Sequence, residues 1–258
     1  MSDSEQQSAR ERILDRLTTA QPETAPADNL PMTPSASESD SSARPRSAKQ
    51  QRQLVSQLAD ALLASHAEVL HVREDDWPHT LATLAQAEQL RTWLCHPACE
   101  AGRMFSTYIG DRQPGALKLR HYSGEYPLPA DQAGTRQWPD KAALFHNIDA
   151  GLSHATAGIA DTGTLLLFSS PTQPRLLSLV PPVHAVTLRY SAIQSNMAEC
   201  MATNAVFRQR PLPANIIFVS GPSKTADIQQ TLAYGAHGPK RLIVMLIDDL
   251  AQFSSTSS

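Results

Sequence analysis

The chain has few cysteines and no long hydrophobic run, and each deficit excludes a class of protein. Its three cysteines, an odd number, do not suit a disulfide framework and are typical of a reducing compartment, so we expect a cytoplasmic protein. Iron–sulfur clusters usually need four cysteine ligands, and only Cys95 and Cys99 lie near each other in the sequence. We therefore expect no metal site and no cofactor in this chain, with its thiols buried and inert.

The apolar runs are too short to span a bilayer, and the polar residues 1–10 do not resemble a signal peptide. The formal net charge of -3 gives no electrostatic reason to expect nucleic acid or an anionic membrane as a partner. The chain also lacks a nucleophile-elbow motif, a P-loop and a dinucleotide-binding fingerprint. The sequence thus excludes several enzyme classes and identifies no catalytic residue.

Composition divides the chain into three parts. Residues 1–47 combine one short amphipathic stretch with a segment rich in Pro and Ser, which cannot bury enough apolar surface to fold by itself. We expect a short N-terminal helix, either docked on a partner or frayed, followed by a disordered tether. Residues 48–249 are predicted to form a single α/β domain, and the Ser-rich residues 250–258 a frayed tail.

Hydrophobic periodicity within the domain predicts helices alternating with strands. The predicted helices cover residues 54–63, 79–94, 193–207 and 225–234. The predicted strands cover residues 68–72, 116–122, 164–168, 184–188, 215–219 and 241–247, with a short apolar run at 176–180 and loops over most of 97–140. Because this alternation is typical of parallel βα units, we predict a layered α/β/α domain.

Two polar, glycine-bearing loops adjoin apolar runs in the second half of the domain. One reads GIADTGT at 158–164 and precedes a predicted strand, and the other reads SGPSKTAD at 220–227 and follows one. Loops at the ends of strands are where open α/β sheets bind ligands, so these two are the strongest candidates for a functional site.

The loop at 220–227 has the features of an anion site, if it lies between a strand and a helix. Gly221 lets the backbone approach a ligand, and Lys224 adds a positive charge to the N–H groups of the helix start. The candidate residues of this loop are Ser220, Gly221, Ser223, Lys224, Thr225 and Asp227, of which Ser223 or Thr225 can cap the helix. The alternative is ordinary capping at a strand-to-helix turn, and the residues alone do not decide between the two.

The other candidates are a carboxylate, two hydroxyls and an imidazole. Asp161, Thr162, Gly163 and Thr164 could hydrogen-bond a ligand or provide an acid–base group; the alternative is a turn that leads into the strand. His237 follows the predicted helix in a glycine-flanked segment and is expected to be exposed enough to meet a ligand. A surface histidine without a function is the alternative.

Four segments in this order closely resemble the LUD (lactate utilization) domain family, and the match is dense from about residue 151 to 247. They read GIADTGT at 158–164, RLLSLVPPVH at 175–184, SGPSKTADI at 220–228 and YGAHGP at 234–239. Residues 48–150 fit the N-terminal half of the family in outline. The resemblance implies a fold similar to the NagB/RpiA/CoA-transferase-like architecture, which 5-formyltetrahydrofolate cyclo-ligase also has.

The resemblance also implies a function. The chain is similar to the small stand-alone members of the family, which look like the third component of a bacterial system that oxidises L-lactate to pyruvate. The other two components of that system carry iron–sulfur clusters, so the resemblance implies iron–sulfur subunits as partners.

Two hypotheses follow. The chain is an accessory, non-redox component that contacts a partner or a small anionic ligand through the loops at Asp161, Ser220 and His237. Alternatively, it is an enzyme in its own right that acts on a carboxylated or phosphorylated small molecule. The lack of cluster ligands and of a nucleotide fingerprint favours the first.

Overall fold

The computed structural model describes residues 46–112, 117–120, 147–208, 213, 215–226, 232–235 and 237–250. The elements below all lie within one compact unit, Arg44–Ser258. Nearly all of the predicted tether and tail, and the candidate residue Asp227, fall outside the described residues.

The described residues form four α-helices, twelve strands and three single-turn 3-10 helices. The helices are α1 (Ala48–Ala64), α2 (Trp77–Ala87), α3 (Glu100–Arg112) and α4 (Met197–Thr203). The strands are β1 (Glu68–Arg73), β2 (Thr92–Leu94), β3 (Lys118–Arg120), β4 (Ala150–His154), β5 (Ala157–Ile159), β6 (Thr164–Phe168), β7 (Val183–Arg189), β8 (Ile193–Gln194), β9 (Ile216–Val219), β10 (Lys224–Ala226), β11 (Leu232–Tyr234) and β12 (Arg241–Asp248). The 3-10 turns cover Arg175–Ser178, Tyr190–Ala192 and Ala205–Arg208.

Six strands form a parallel sheet in the spatial order β1-β12-β7-β4-β2-β3. Side chains alternate along its strands, so each face meets a different layer. On β12, Leu242, Val244 and Leu246 pack in the core that contains α1, whereas Ile243, Met245 and Ile247 pack in the core that contains α2 and α3. Burial on both faces explains why β7 and β12 read as almost continuous apolar runs. The prediction of a layered α/β domain with a parallel sheet is confirmed.

A second sheet covers the face of the main sheet that α1 shares. Its strand order is β8-β5-β6-β9, with β6 antiparallel to both of its neighbours. Leu165 and Leu167 of β6 pack in the core with α1, and Leu166 and Phe168 pack on the other side, with Cys200 of α4. Strand β6 is therefore buried on both faces. This explains its uninterrupted apolar sequence, as it does for β12 of the main sheet.

Three helix predictions were wrong, wholly or in part. Of residues 79–94, only those up to Ala87 are helical, because Gln89 adopts a left-handed φ of 59° that ends the helix before β2. Of residues 193–207, only Met197–Thr203 form an α-helix, since β8 pairs with β5. Residues 225–234 contain no described helix: β10 and β11 form an antiparallel hairpin.

Helix α3 was missed, because glycine and proline around it lower the helical propensity of residues 97–112. One of these glycines has a packing role. A Cβ at Gly102 would lie 2.1 Å from the carbonyl oxygen of His96, so α3 begins too close to the preceding turn for any other residue. This close approach explains why Gly102 lies within α3 although glycine disfavours helices. The sequence alone does not show the contact.

His184 of β7 is a buried polar residue in this core. Its Nε2 lies 3.0 Å from the hydroxyl of Ser153 on β4. Burial lowers the pKa of His184 to about 3. The imidazole is therefore neutral in the folded protein at pH values where a histidine of an unfolded chain becomes protonated.

We expect the free energy of unfolding to fall as the pH drops below about 6.5, because only the unfolded state then binds a proton at His184. At pH 5 the loss from this residue should be about 2 kcal/mol relative to pH 8. Urea unfolding of the full chain and of His184→Gln at both pH values measures it, since the glutamine amide still donates to Ser153 but does not titrate. Other groups contribute to both proteins alike, so an equal loss in the two would contradict the assignment.

Candidate functional site

The two loops singled out by the sequence meet at one end of the second sheet. Leu165 of β6 is paired with Val219 of β9. This register brings the hydroxyl of Ser220 to 2.9 Å from that of Thr164, which in turn lies 2.8 Å from the hydroxyl of Thr162. Three candidate hydroxyls thus form one hydrogen-bonded chain, although Thr162 and Ser220 are 58 positions apart in the sequence.

The glycines of both loops pack against the end of α1. Gly163 has a φ of 62°, and a Cβ there would lie 2.6 Å from the Cβ of Ala61. A Cβ at Gly221 would lie 2.6 Å from the carbonyl oxygen of Ser65. Both glycines therefore allow α1 to approach the second sheet, a packing role that the sequence pattern did not indicate.

A cleft of about 190 Å³ opens beside Ser220, between β9 and the amino-terminal ends of β7 and β12. Its polar lining consists of Ser178, Ser220, Ser223, His184 and His237. Leu179 and Phe218 also line it and are 41% and 50% exposed. Four predicted site residues, Ser220, Gly221, Ser223 and His237, border this one cleft.

The cleft is not built on a helix start, and this corrects the basis of the anion-site prediction. Lys224 and Thr225 lie on β10, where antiparallel pairing with β11 fixes the backbone, so neither the helix dipole nor a cap contributes. The N–H of Ser223 donates to the carbonyl of Pro239 at 2.8 Å. Lys224 is exposed and is not among the lining residues of the cleft.

Asp161 and Thr162 lie in the turn between β5 and β6. Both side chains are exposed, and the N–H of Asp161 donates to the carbonyl of Ser195 at 3.0 Å. The hydrogen bond between Thr164 and Ser220 links this turn to the cleft. The structure thus connects the two loops without bringing the carboxylate of Asp161 into the lining of the cleft.

A second polar group, which the sequence analysis missed, lies at the carboxyl-terminal edge of the main sheet. Arg189, the last residue of β7, forms ion pairs with Glu74, just after β1, and with Glu100, the first residue of α3. His154 ends β4 beside them. A crevice with room for about one water molecule, about 10 Å³, is lined by Trp77, Glu100, Ala101, Met104, His154, Thr187, Arg189 and Ile247.

His154 is held firmly in this crevice. Its Nδ1 lies 3.0 Å from the hydroxyl of Thr187, and its backbone N–H and carbonyl both bond to the amide of Gln173, at 2.8 and 2.9 Å. Burial is the main reason why the pKa of His154 is lowered; Arg189 lowers it further and Glu100 opposes the shift. The lowered pKa favours the neutral form of this imidazole, which shares the lining of the crevice with Arg189. Their position is the feature that could have identified these residues from the sequence. His154 and Arg189 each end a strand of a parallel sheet, and ligands bind at that edge.

The three cysteines do not converge. Cys95 packs in the core with α2 and α3, and Cys200 packs beneath the second sheet. Burial raises the pKa of the Cys95 thiol to about 11, so the thiolate that binds metals is disfavoured. Within the part of the chain that the structure describes, no group of three or more His, Cys, Asp or Glu side chains could hold a metal ion.

Among the described residues, no helix combines the length and the apolar character needed to cross a membrane.

Comparisons with known proteins agree with one another. The LUD domain model matches residues 55–247. An uncharacterized protein of Neisseria meningitidis serogroup B is 38% identical over 189 residues, which cover 73% of this chain and 75% of that protein. Lactate utilization protein C 1 of Bacillus mycoides is 28% identical over 203 residues, which cover 77% of this chain and 81% of that protein.

A solved structure agrees as well. The crystal structure of a DUF162 family protein from Deinococcus radiodurans superposes with a TM-score of 0.52 and 23% identity, and the match covers 79% of this chain and 99% of that one. At this identity the likeness bears on the fold alone, and it supports the layered α/β architecture.

The packing role of Gly163 can be tested with alanine. Gly163→Ala should reduce the free energy of unfolding by about 1–3 kcal/mol, because the residue has a left-handed φ and its new methyl group would meet α1. Gly110→Ala is the matched control: a Cβ at this position of α3 meets nothing within 4 Å. It should be neutral or stabilise the protein by up to about 1 kcal/mol. Equal effects of the two variants in urea unfolding would refute the packing role.

Proposed function

Because the chain belongs to the LUD domain family, we propose that it is the accessory, non-redox component of a cytoplasmic system that oxidises L-lactate to pyruvate. Relatives named lactate utilization protein C, including the one from Bacillus mycoides, support a role in lactate utilization. To this role in lactate utilization we add three points: that the chain is an accessory component, that the reaction is the oxidation of L-lactate to pyruvate, and that the system is cytoplasmic.

We assign the redox centres of the system to iron–sulfur partner subunits. The placement of the thiols in this chain supports the assignment, since Cys95 and Cys200 lie in separate cores and cannot ligate one cluster together. The contribution of this chain would then be to bind, to orient or to regulate rather than to transfer electrons.

The cleft beside Ser220 is the observation that carries the proposal. It combines the hydroxyls of Ser220 and Ser223 with the imidazole of His237, all of which donate hydrogen bonds to an anionic group. Leu179 and Phe218 add exposed apolar surface, which is typical of a region that contacts a ligand or a protein. We propose that this cleft receives a small anionic ligand or a segment of a partner subunit.

An activity of its own is the second candidate function. His154 and Arg189 line one crevice at the carboxyl edge of the parallel sheet, and this favours it, because a guanidinium and an imidazole can bind and orient a carboxylated substrate. Turnover of a small carboxylated or phosphorylated molecule by the isolated chain, lost in a His154→Gln variant, would support this candidate over the accessory role.

Co-purification tests the accessory role. The tagged full chain, isolated from cells of its source grown on L-lactate, should retain iron–sulfur subunits, identified by mass spectrometry and by their visible absorption. The same chain purified alone should lack that absorption, because its three cysteines do not meet at one point. Recovery of the chain alone, at an abundance where the other subunits are detected in the lysate, would refute the proposed assembly.

Variants test the cleft. His237→Ala should weaken the binding of an anionic probe by about tenfold, because a hydrogen bond to a charged group contributes about 1.5 kcal/mol or more. Lys224→Ala is the matched control, since this exposed lysine does not line the cleft and should change affinity by less than about twofold. Calorimetry with inorganic phosphate, acetate and pyruvate measures both. A larger loss in Lys224→Ala than in His237→Ala would place the anion at the hairpin instead.

A further inference from the structure

The cleft beside Ser220 has a floor that differs from its rim. His184 and Leu242, which are paired on β7 and β12, are each only 1% exposed, yet both line the cleft. Ile217 and Val219 of β9 line it as well and pack against the core that contains α1. The cleft therefore reaches into the layer between the main sheet and the second sheet, where apolar side chains surround one imidazole.

One nitrogen of this imidazole is available to a ligand. The Nε2 of His184 is held by the hydroxyl of Ser153, whereas its Nδ1 has no hydrogen-bond partner among the residues that the structure describes. The other buried polar side chain of the lining, Ser178, already donates to the carbonyl of Arg175 at 2.9 Å. Since buried polar groups of folded proteins nearly always have a partner, Nδ1 is the atom of the floor that a ligand can satisfy.

The floor selects an uncharged group. The described residues that line the cleft include no Asp, Glu, Lys or Arg, and burial, which lowers the pKa of His184 to about 3, keeps its imidazole neutral. A charged group at this depth would lose its hydration without gaining an opposite charge. A hydroxyl, in contrast, can donate to Nδ1 or accept from it, whichever tautomer is present.

The rim has the opposite character. Ser220 and His237 are exposed, and Ser223 is half-buried. These are the side chains proposed above to donate to an anionic group. The two ends of the cleft therefore orient a ligand, with its charge at the hydrated rim and its uncharged end towards His184.

The volume of the cleft sets the size of the part between these ends. An apolar cavity of about 150 Å³ is large enough to bind benzene, and this cleft has about 190 Å³. Its apolar lining consists of Leu179, Ile217, Phe218, Val219, Pro239 and Leu242. A single aromatic ring thus fits between the floor and the rim.

We propose that the cleft binds an aromatic carboxylate with a hydroxyl on the far side of its ring, and that Nδ1 of His184 recognises this hydroxyl. The carboxylate lies at the rim, and the ring lies against the apolar lining. Ser153 is a positioning residue, since its hydroxyl fixes the imidazole. The inference rests on the proposal that this cleft takes a small anion, and it adds the class of that anion and the residue that selects it.

Calorimetry on the full chain with acetate, benzoate and 4-hydroxybenzoate tests each part of the ligand. Benzoate should bind at least about tenfold more tightly than acetate, because its ring leaves water for the apolar lining. 4-Hydroxybenzoate should bind about tenfold more tightly again, because Nδ1 stays unpaired without its hydroxyl. Equal affinities of benzoate and 4-hydroxybenzoate would overturn the role of His184, and no gain of benzoate over acetate would overturn the aromatic class.

A paired substitution removes the imidazole together with the hydroxyl that holds it. His184→Leu combined with Ser153→Ala leaves neither polar group without its partner, so the double variant should fold. It should bind benzoate within about threefold of wild type but lose the preference for 4-hydroxybenzoate. Lys224→Ala, outside the cleft, is the control and should keep that preference. A double variant that also keeps it would contradict the assignment. The comparison of acids on wild type decides the matter if the double variant does not fold.

Two further outcomes are distinct from these. Acetyl-tyrosine amide presents the same phenol without a carboxylate. If it binds more tightly than 4-hydroxybenzoate, the cleft takes a tyrosine side chain of a partner, and the small acid is wrong. Binding of acetate that depends on His237, with no gain from the ring, would overturn this inference and leave the anion site standing. If none of the acids binds at millimolar concentrations, both fall, whereas the accessory role is tested separately by co-purification.

Discussion

Strands β7 and β12 lie in the interior of the parallel sheet, so both faces of each must be covered by apolar side chains. Helices α2 and α3 cover one face. The other face receives α1 together with the second sheet, whose strand β6 is buried on both sides. This requirement explains Gly163 and Gly221, since both allow α1 to come close enough to the second sheet to close that layer. The loops that the sequence singled out owe part of their composition to this contact.

The same layering separates two polar regions. The second sheet ends above the amino-terminal ends of β7 and β12, where Ser220 and His237 border the cleft. The carboxyl-terminal ends of β7 and β4 carry Arg189 and His154 to the opposite edge of the sheet. Because strands and helices are rigid, each group of side chains is fixed relative to the sheet and independent of the other. A ligand at one edge and a partner at the other are compatible with one fold.

Two arginine clusters show how similar residue types acquire different roles. Arg241 uses four hydrogen bonds to join β12 to Glu68 and Glu88, and it leaves little donor capacity. Arg189 uses two, beside a buried neutral histidine and an apolar wall. Both arginines sit at an end of a central strand and read alike in the sequence. Only the positions of their neighbours distinguish a clamp from a candidate binding group.

The sequence by itself determined the layered α/β class, the family and most of the long strands, because burial on both faces of a strand leaves a continuous apolar run that composition records directly. It also identified two loops that do meet, through Thr164 and Ser220. Tertiary structure decided the rest. Lys224–Ala226 and Leu232–Tyr234 pair as antiparallel strands where the sequence predicts a helix, because cross-strand pairing, a contact between separate segments, outweighs local propensity. The grouping of Arg189, His154 and Glu100 likewise depends on the strand order of the sheet, which brings together residues up to 89 positions apart, and no local pattern encodes that order.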